Sequence, residues 1–185
     1  MLNPKRRLAL NTYSHIKQYL KNSDVILDLG SGNGLVANNI RKNIGARVIC
    51  LDITNSSKTK VKPILFCGKH IPFCRDAFTV TICCFVLHHT RYQKELLDEM
   101  KRVTNSKIII LEDVNETIGD YFLLWIHKCY SRIRYRPHRT KFRSNNEWRD
   151  FFRKCGLFVR KEEKIEKTRE ITYPVSRRVY ILHKR

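Results

Sequence analysis

The chain has no pair of cysteines at Cys-x-x-Cys spacing, and its seven cysteines are an odd number: Cys50, Cys67, Cys74, Cys83, Cys84, Cys129 and Cys155. An odd count, mostly inside apolar runs, argues against a disulfide framework, and the spacing argues against zinc. Cys83 and Cys84 are adjacent and would face opposite ways on a strand. The thiols are therefore expected to be small buried hydrophobes, with no metal site. Long apolar runs are also missing. Stretches such as Tyr121 to Ile126 fall far short of the ~20 residues of a membrane span. No apolar segment follows the basic residues of Met1 to Leu10, so no signal peptide is expected and a soluble, cytoplasmic protein is. There is no Gly-Lys-Ser/Thr, which excludes a P-loop.

Acidic residues are scarce, and between Tyr121 and Asn146 there are none. The net charge is +20, and residues 127–185 carry 19 Lys/Arg against 6 Asp/Glu. Lys128, Arg132, Arg134, Arg136, Arg139, Lys141 and Arg143 fall in the acid-free window, interleaved with Tyr130, Tyr135 and Phe142. Such a patch attracts RNA, an anionic membrane surface or a phosphorylated metabolite, although plain solubility accounts for charge as well.

At 185 residues with 42% hydrophobic content, residues 1–185 are read as one folded domain. An amphipathic helix is expected over 8–21. Strands are expected at 25–29, 47–51, 63–66, 79–85 and 107–112, with helices at 34–43 and 91–103 between them. Thr90-Arg91-Tyr92-Gln93 reads as a capping box. Near-continuous apolar strands alternating with helices imply an α/β, doubly wound sheet covered on both faces. Ile53 to Val61 is too short for an ordinary parallel crossover, so its helix should be reduced to a turn or the boundaries moved. A basic helical insertion is expected at about 114–143, with its helix at 116–133. Ser144-Asn145-Asn146-Glu147 is a second capping box and Gly156 a helix stop. Strands at 157–165 and 177–183 complete the sheet.

Val25-Ile26-Leu27-Asp28-Leu29-Gly30-Ser31-Gly32-Asn33-Gly34 is the most informative stretch. A buried strand runs into three glycines at alternate positions, where backbone must approach a ligand, and a helix N-terminus follows. The spacing differs from the Gly-x-Gly-x-x-Gly of nicotinamide sites. Asp52 ends the next strand, where a carboxylate can accept hydrogen bonds from ribose hydroxyls.

Together with Ile71-Pro72-Phe73, Phe85-Val86-Leu87-His88-His89 and Glu99-Met100-x-Arg102-Val103, this order resembles the class I S-adenosylmethionine-dependent methyltransferases, and among them the type 11 methyltransferase domain. The resemblance covers roughly residues 20–113. It implies a Rossmann-like seven-stranded sheet whose last strand runs antiparallel beside the fifth, and S-adenosylmethionine as cofactor. Gly30, Ser31, Gly32 and Gly34 would line its methionine end, Asp28 would orient its amino group, Asp52 would hold the ribose and Ile53 would pack on the adenine. Phe85 would close the pocket near the sulfonium. The acidic residue that family members carry before Ile-Pro-Phe is absent; the backbone of Gly68 and Lys69 is the expected substitute. The family's Pro-Gly-Gly before the fifth strand is replaced by Thr104-Asn105-Ser106, expected as a tighter turn.

Where the acceptor must lose a proton, a base is needed. His89, then His88, are the catalytic candidates, with Glu112 and Asp113 behind them, all near C-terminal strand ends. The acceptor is expected to be a small molecule. An RNA methyltransferase using the basic 127–143 region and a non-catalytic binding protein of the same fold are the alternatives. Neither an Asp/Asn-Pro-Pro-Tyr/Phe tetrad nor a Pro-Cys nucleophile supports nucleic-acid chemistry. Phe122 to Trp125 could shelter a lipid-like substrate beside the basic window, but the plainest expectation packs them on the sheet.

Overall fold

The computed structural model describes residues 3–134, 141–165 and 175–184, with side chains in the fourth helix described as far as Ile126 and at Cys129. Seven strands form one sheet in the order β3-β2-β1-β4-β5-β7-β6. They are β1 (Val25–Leu29), β2 (Arg47–Asp52), β3 (Ile64–Leu65), β4 (Phe78–Cys84), β5 (Thr104–Asp113), β6 (Leu157–Ile165) and β7 (Arg177–Lys184). Pairs are parallel except along β7, which runs antiparallel to β5 and β6.

Among the described residues, five α-helices accompany the sheet: α1 (Pro4–Ile16), α2 (Leu35–Asn43), α3 (Gln93–Val103), α4 (Ile118–Arg134) and α5 (Asn145–Lys154). Two cores result, as strand alternation requires. On one face Ile16, Ala37 and Ile40 pack against Ile26, Val80, Ile82, Ile109 and Leu111. On the other, Leu96, Leu97, Met100, Trp148 and Phe152 pack against Leu27, Leu29, Ile108, Ile110 and Tyr180. The chain is thus the doubly wound, Rossmann-like sheet that the sequence implies.

Some local expectations hold and others change. The first helix starts at Pro4, with the Asn3 side chain accepting from Lys5 N–H, and ends at Ile16 in a short 3-10 turn. No helix bridges β2 and β3, and β3 is only two exposed residues long. Thr90 does not cap α3. Its hydroxyl accepts from the Tyr92 N–H, and the helix begins at Gln93, whose side-chain amide donates to the Leu87 carbonyl. Thr104 to Ser106 form no turn; β5 starts at Thr104 directly after α3, with an irregular register opposite Phe78 to Val80. The Ser144–Glu147 capping box is present with both its reciprocal bonds. Cys50, Cys83 and Cys155 are buried, but Cys67 and Cys74 are exposed.

The insertion departs most. Of Phe122 to Trp125, only Leu124 is buried; Phe122 and Trp125 are exposed. Arg143, expected on the basic surface, is buried with its guanidinium 4.7 Å from the Trp148 ring and 4.2 Å from that of Phe151. The side chains of Lys128, Tyr130, Arg132 and Arg134, and all of Tyr135, Arg136 and Arg139, lie outside the described residues.

Candidate functional site

Strand β1 ends in a turn whose three glycines all hold positive φ: Gly30 at 72°, Gly32 at 51° and Gly34 at 72°. Two of them are also sterically required. A Cβ on Gly30 would lie 2.3 Å from Val86 Cγ2, and one on Gly34 would lie 2.9 Å from both the Ser57 and Thr59 hydroxyls. The turn is therefore gripped by the segment after β4 on one side and the β2–β3 loop on the other. Over Gly32 there is no such neighbour, so the grip leaves an open side.

That side opens into a cleft of about 720 Å³ at the C-terminal ends of β1 and β4. Asp28, Gly30, Ser31 and Gly32 form its base and Cys84 and Phe85 one side. Asn33 and Val36 also line it, with Lys5, Leu8, Ala9 and Thr12 from α1 and Asn55, Ser56 and Lys58 from the β2–β3 loop. Leu8 and Thr12 lie one helical turn apart and so share the face of α1 that forms this wall of the cleft.

Asp28 is 3% exposed, and its Oδ2 has no hydrogen-bond partner. Burial, and then the nearby charge of Asp52, push its carboxyl up to about 7. A buried, unpartnered carboxylate is unstable without a cation or donor. Asp52 differs. Its Oδ2 accepts from Gly32 N–H at 2.7 Å and its Oδ1 from Thr54 N–H at 3.2 Å, so it braces the glycine turn.

Ile53, next along, is 60% exposed, an unusual state for isoleucine. A Cβ on Gly68 would come within 3.1 Å of its Cγ2, which brings the two positions together. Lys69 lies with its Nζ 5.4 Å from the Tyr92 ring centre. The two more distant motifs meet here as well. Glu99 accepts from Ile71 N–H at 2.8 Å, while Arg102 donates to the Ile71 and Phe73 carbonyls at 2.9 and 2.7 Å.

At the end of β4, Phe85 adopts φ 60°, the left-handed region, with Arg177 5.3 Å from its ring. A non-glycine residue there is strained and must be held. Glu112 holds the following segment. It is fully buried, and its Oε1 accepts from Val86 and Leu87 N–H at 3.1 and 2.7 Å while its Oε2 meets His88 Nδ1. Burial disfavours the His88 imidazolium, but Glu112 and then Asp113 outweigh it and raise the pKa. His88 is 1% exposed, stacked on Phe142; His89 is exposed, its ring 4.0 Å from that of His88. Asp113 pairs with Arg177 at 2.9 Å, both buried. Among the described residues no group of His, Cys, Asp and Glu could hold a metal ion.

Residues 27–110 match the methyltransferase domain family, type 11. No curated protein matches the chain. Among solved structures, a SAM-dependent methyltransferase from Aquifex aeolicus is 17% identical, with 98% of this chain and 99% of that one covered at a TM-score of 0.68. A second, from Methanosarcina mazei, is 16% identical over 92% and 96% at 0.69. The [4+2]-cyclase SpnF is 11% identical over 97% and 80% at 0.71. At such identities the likeness concerns the fold. Motif set, strand order and glycine turn agree: residues 27–110 are similar to the methyltransferase domain family, and the sheet that holds them has the fold of solved SAM-dependent methyltransferases.

Proposed function

We propose that this protein transfers a methyl group from S-adenosylmethionine to a small-molecule acceptor in the cytoplasm. The observation that carries the reading is the unpartnered carboxylate of Asp28 at the base of a cleft bordered by glycine backbone. An ammonium group is what such a carboxylate lacks. Of the residues that the resemblance assigns to the cofactor, Asp28, Gly30, Ser31, Gly32 and Phe85 line the cleft, whereas Gly34, Asp52, Ile53, Gly68 and Lys69 lie outside its lining. Asp28 would hold the amino group, Gly30, Ser31, Gly32 and Gly34 the methionine end, Asp52 the ribose, and Ile53, with the backbone of Gly68 and Lys69, the adenine. Bound there, S-adenosylmethionine supplies an electrophilic methyl group on a sulfonium.

The chain's own contribution is alignment. Glu112 fixes Val86 to His88, this segment presses on Gly30, and Phe85 is held beside the cleft. Such positioning lowers the barrier without side-chain chemistry. Where the acceptor carries a proton, His89, exposed beyond β4, is the better base; His88 is committed to Glu112. All seven cysteines are free, which suits a reducing compartment.

Calorimetric titration with S-adenosylmethionine and S-adenosylhomocysteine tests the reading, with Asp28→Asn alongside. Micromolar binding, about −8 kcal/mol, weakened in the variant supports it. No binding by the wild type would reassign the chain as a non-catalytic protein of this fold.

A further inference from the structure

We propose that the outer face of α4 docks the protein onto an anionic lipid surface. The inference rests on the chemistry of that helix and does not require methyl transfer. Ile118 is 90% exposed, Trp125 61%, Phe122 62%, Tyr121 58% and Ile126 43%. At 100° per residue these five side chains cover an arc of roughly 140° along about 12 Å of helix. Large apolar residues rarely gather so in water unless something covers them.

The helix is built to present this face. Its inner side is anchored by Leu124 and by Asp120, both buried. One Asp120 oxygen accepts from the Glu116 and Thr117 N–H groups and the other from Ser176 N–H. Phe122 and Trp125 stack on each other outside, 6.4 Å between ring centres. Among the described residues, that pair is the ring contact found on this face.

Charge identifies the occupant. The sequence continues α4 with Lys128, Arg132 and Arg134, and no acidic residue occurs from Tyr121 to Asn146. The nearest carboxylates are engaged inward: Glu116 pairs with Arg178 and Lys164, and Asp120 is fully buried. An apolar aromatic face followed by cations is the composition of helices that lie in the headgroup region of anionic membranes. A second copy of a chain at +20 would be repelled. RNA would use aromatic rings but gain little from Ile118 and Ile126. No described helix is long and apolar enough to cross a membrane, so α4 would lie on the surface.

The two tryptophans make the test specific, because Trp148 is fully buried and Trp125 is exposed. The full-length protein is mixed with phosphatidylcholine vesicles, with or without phosphatidylglycerol, and followed by sedimentation and tryptophan emission. Co-sedimentation with the phosphatidylglycerol vesicles and a blue-shifted emission are expected. Phe122→Glu with Trp125→Glu should weaken partition by about tenfold or more with an unchanged Tm. Trp125→Phe should keep binding and lose the blue shift, which keeps the test valid if the double variant proves unstable.

Absence of binding to anionic vesicles would overturn the proposal. So would binding that the double variant leaves intact, a blue shift that survives Trp125→Phe, or a dimer in sedimentation equilibrium that the double variant abolishes. Vesicle binding stands or falls whether or not S-adenosylmethionine binds, so failure here is distinguishable from failure of the proposed activity.

Discussion

The backbone N–H of Gly32 donates a 2.7 Å hydrogen bond to Oδ2 of Asp52, joining the glycine turn after β1 to the end of β2. The carboxylate expected to face a ribose is thus also a structural brace. Asp52→Ala should weaken binding of S-adenosylhomocysteine and lower stability by about 1–3 kcal/mol, because the half-buried Gly32 N–H and the Thr54 N–H lose a charged acceptor. Asp52→Asn keeps one acceptor oxygen and should recover part of that stability. Calorimetry and thermal unfolding on both variants separate the two roles.

Gly30 and Gly45 share a left-handed φ, at 72° and 79°, but a Cβ on Gly45 would meet nothing within 4 Å. Gly45→Ala should cost only the backbone preference, about 1 kcal/mol. Gly30→Ala should cost about 3 kcal/mol or more, since its Cβ also collides with Val86. Adding Val86→Ala should return part of the loss, read as a coupling energy in a double-mutant cycle of urea unfolding.

Asp28, raised from 3.8 to about 7, retains its proton in the folded chain when the unfolded chain has lost it. The folded state then binds more protons between those values, so this group's contribution lowers stability as pH rises from about 4 to 7. Asp28→Asn should stabilise the ligand-free protein at pH 8, by up to about 4 kcal/mol, and remove that slope. Cofactor affinity should rise with pH through about 7 in the wild type, with proton release on binding at pH 6. Titration in buffers of different ionisation enthalpy measures both.

His88 gains from Glu112 and Asp113 a pKa above its ordinary 6.5 despite its burial. Its pairing contributes stability that is complete below 6.5 and is lost as pH rises through the elevated value. Glu112→Ala should destabilise by about 3–5 kcal/mol, leaving the imidazolium and two N–H groups unpaired. Denaturant unfolding across pH checks the value and its slope.

Cys67 is exposed, and hydrogen bonds at the backbone of His70 and then Lys69 lower its thiol pKa. Cys83 and Cys84 are shifted well upward by burial. Iodoacetamide should therefore label Cys67 well before Cys83 or Cys84. Because Cys67 adjoins Gly68, S-adenosylhomocysteine should slow that labelling, as peptide mass spectrometry would read out.

The sheet was legible because its strands are buried on both faces and read as apolar runs, as at Val25–Leu29 and Ile108–Leu111. Strand β3 was legible too, expected at 63–66, but it is shorter, because Ile64 and Leu65 are exposed at the sheet's edge. The Thr90 cap was misread because a hydroxyl serves a two-residue turn as readily as a helix. Gly30 and Asp28 announced the cleft, but its α1 wall depends on how a helix docks, which local sequence does not encode. Nor does sequence tell which face of α4 turns inward, since Phe122, Leu124 and Trp125 are equally apolar. The bracing by Glu112 was invisible for another reason: its partners lie 24 to 26 residues away.

Asp120 has a mechanical meaning beyond its hydrogen bonds. One carboxylate bolts the first turn of α4 to the backbone at Ser176, immediately before the antiparallel strand at the centre of three. A pull on the helix start therefore reaches the sheet next to β7, a strand hydrogen-bonded to a neighbour on each side. Asp120 thus ties the outer helix to the β7 side of the sheet, while the glycine turn follows β1, on the far side of β4 and β5.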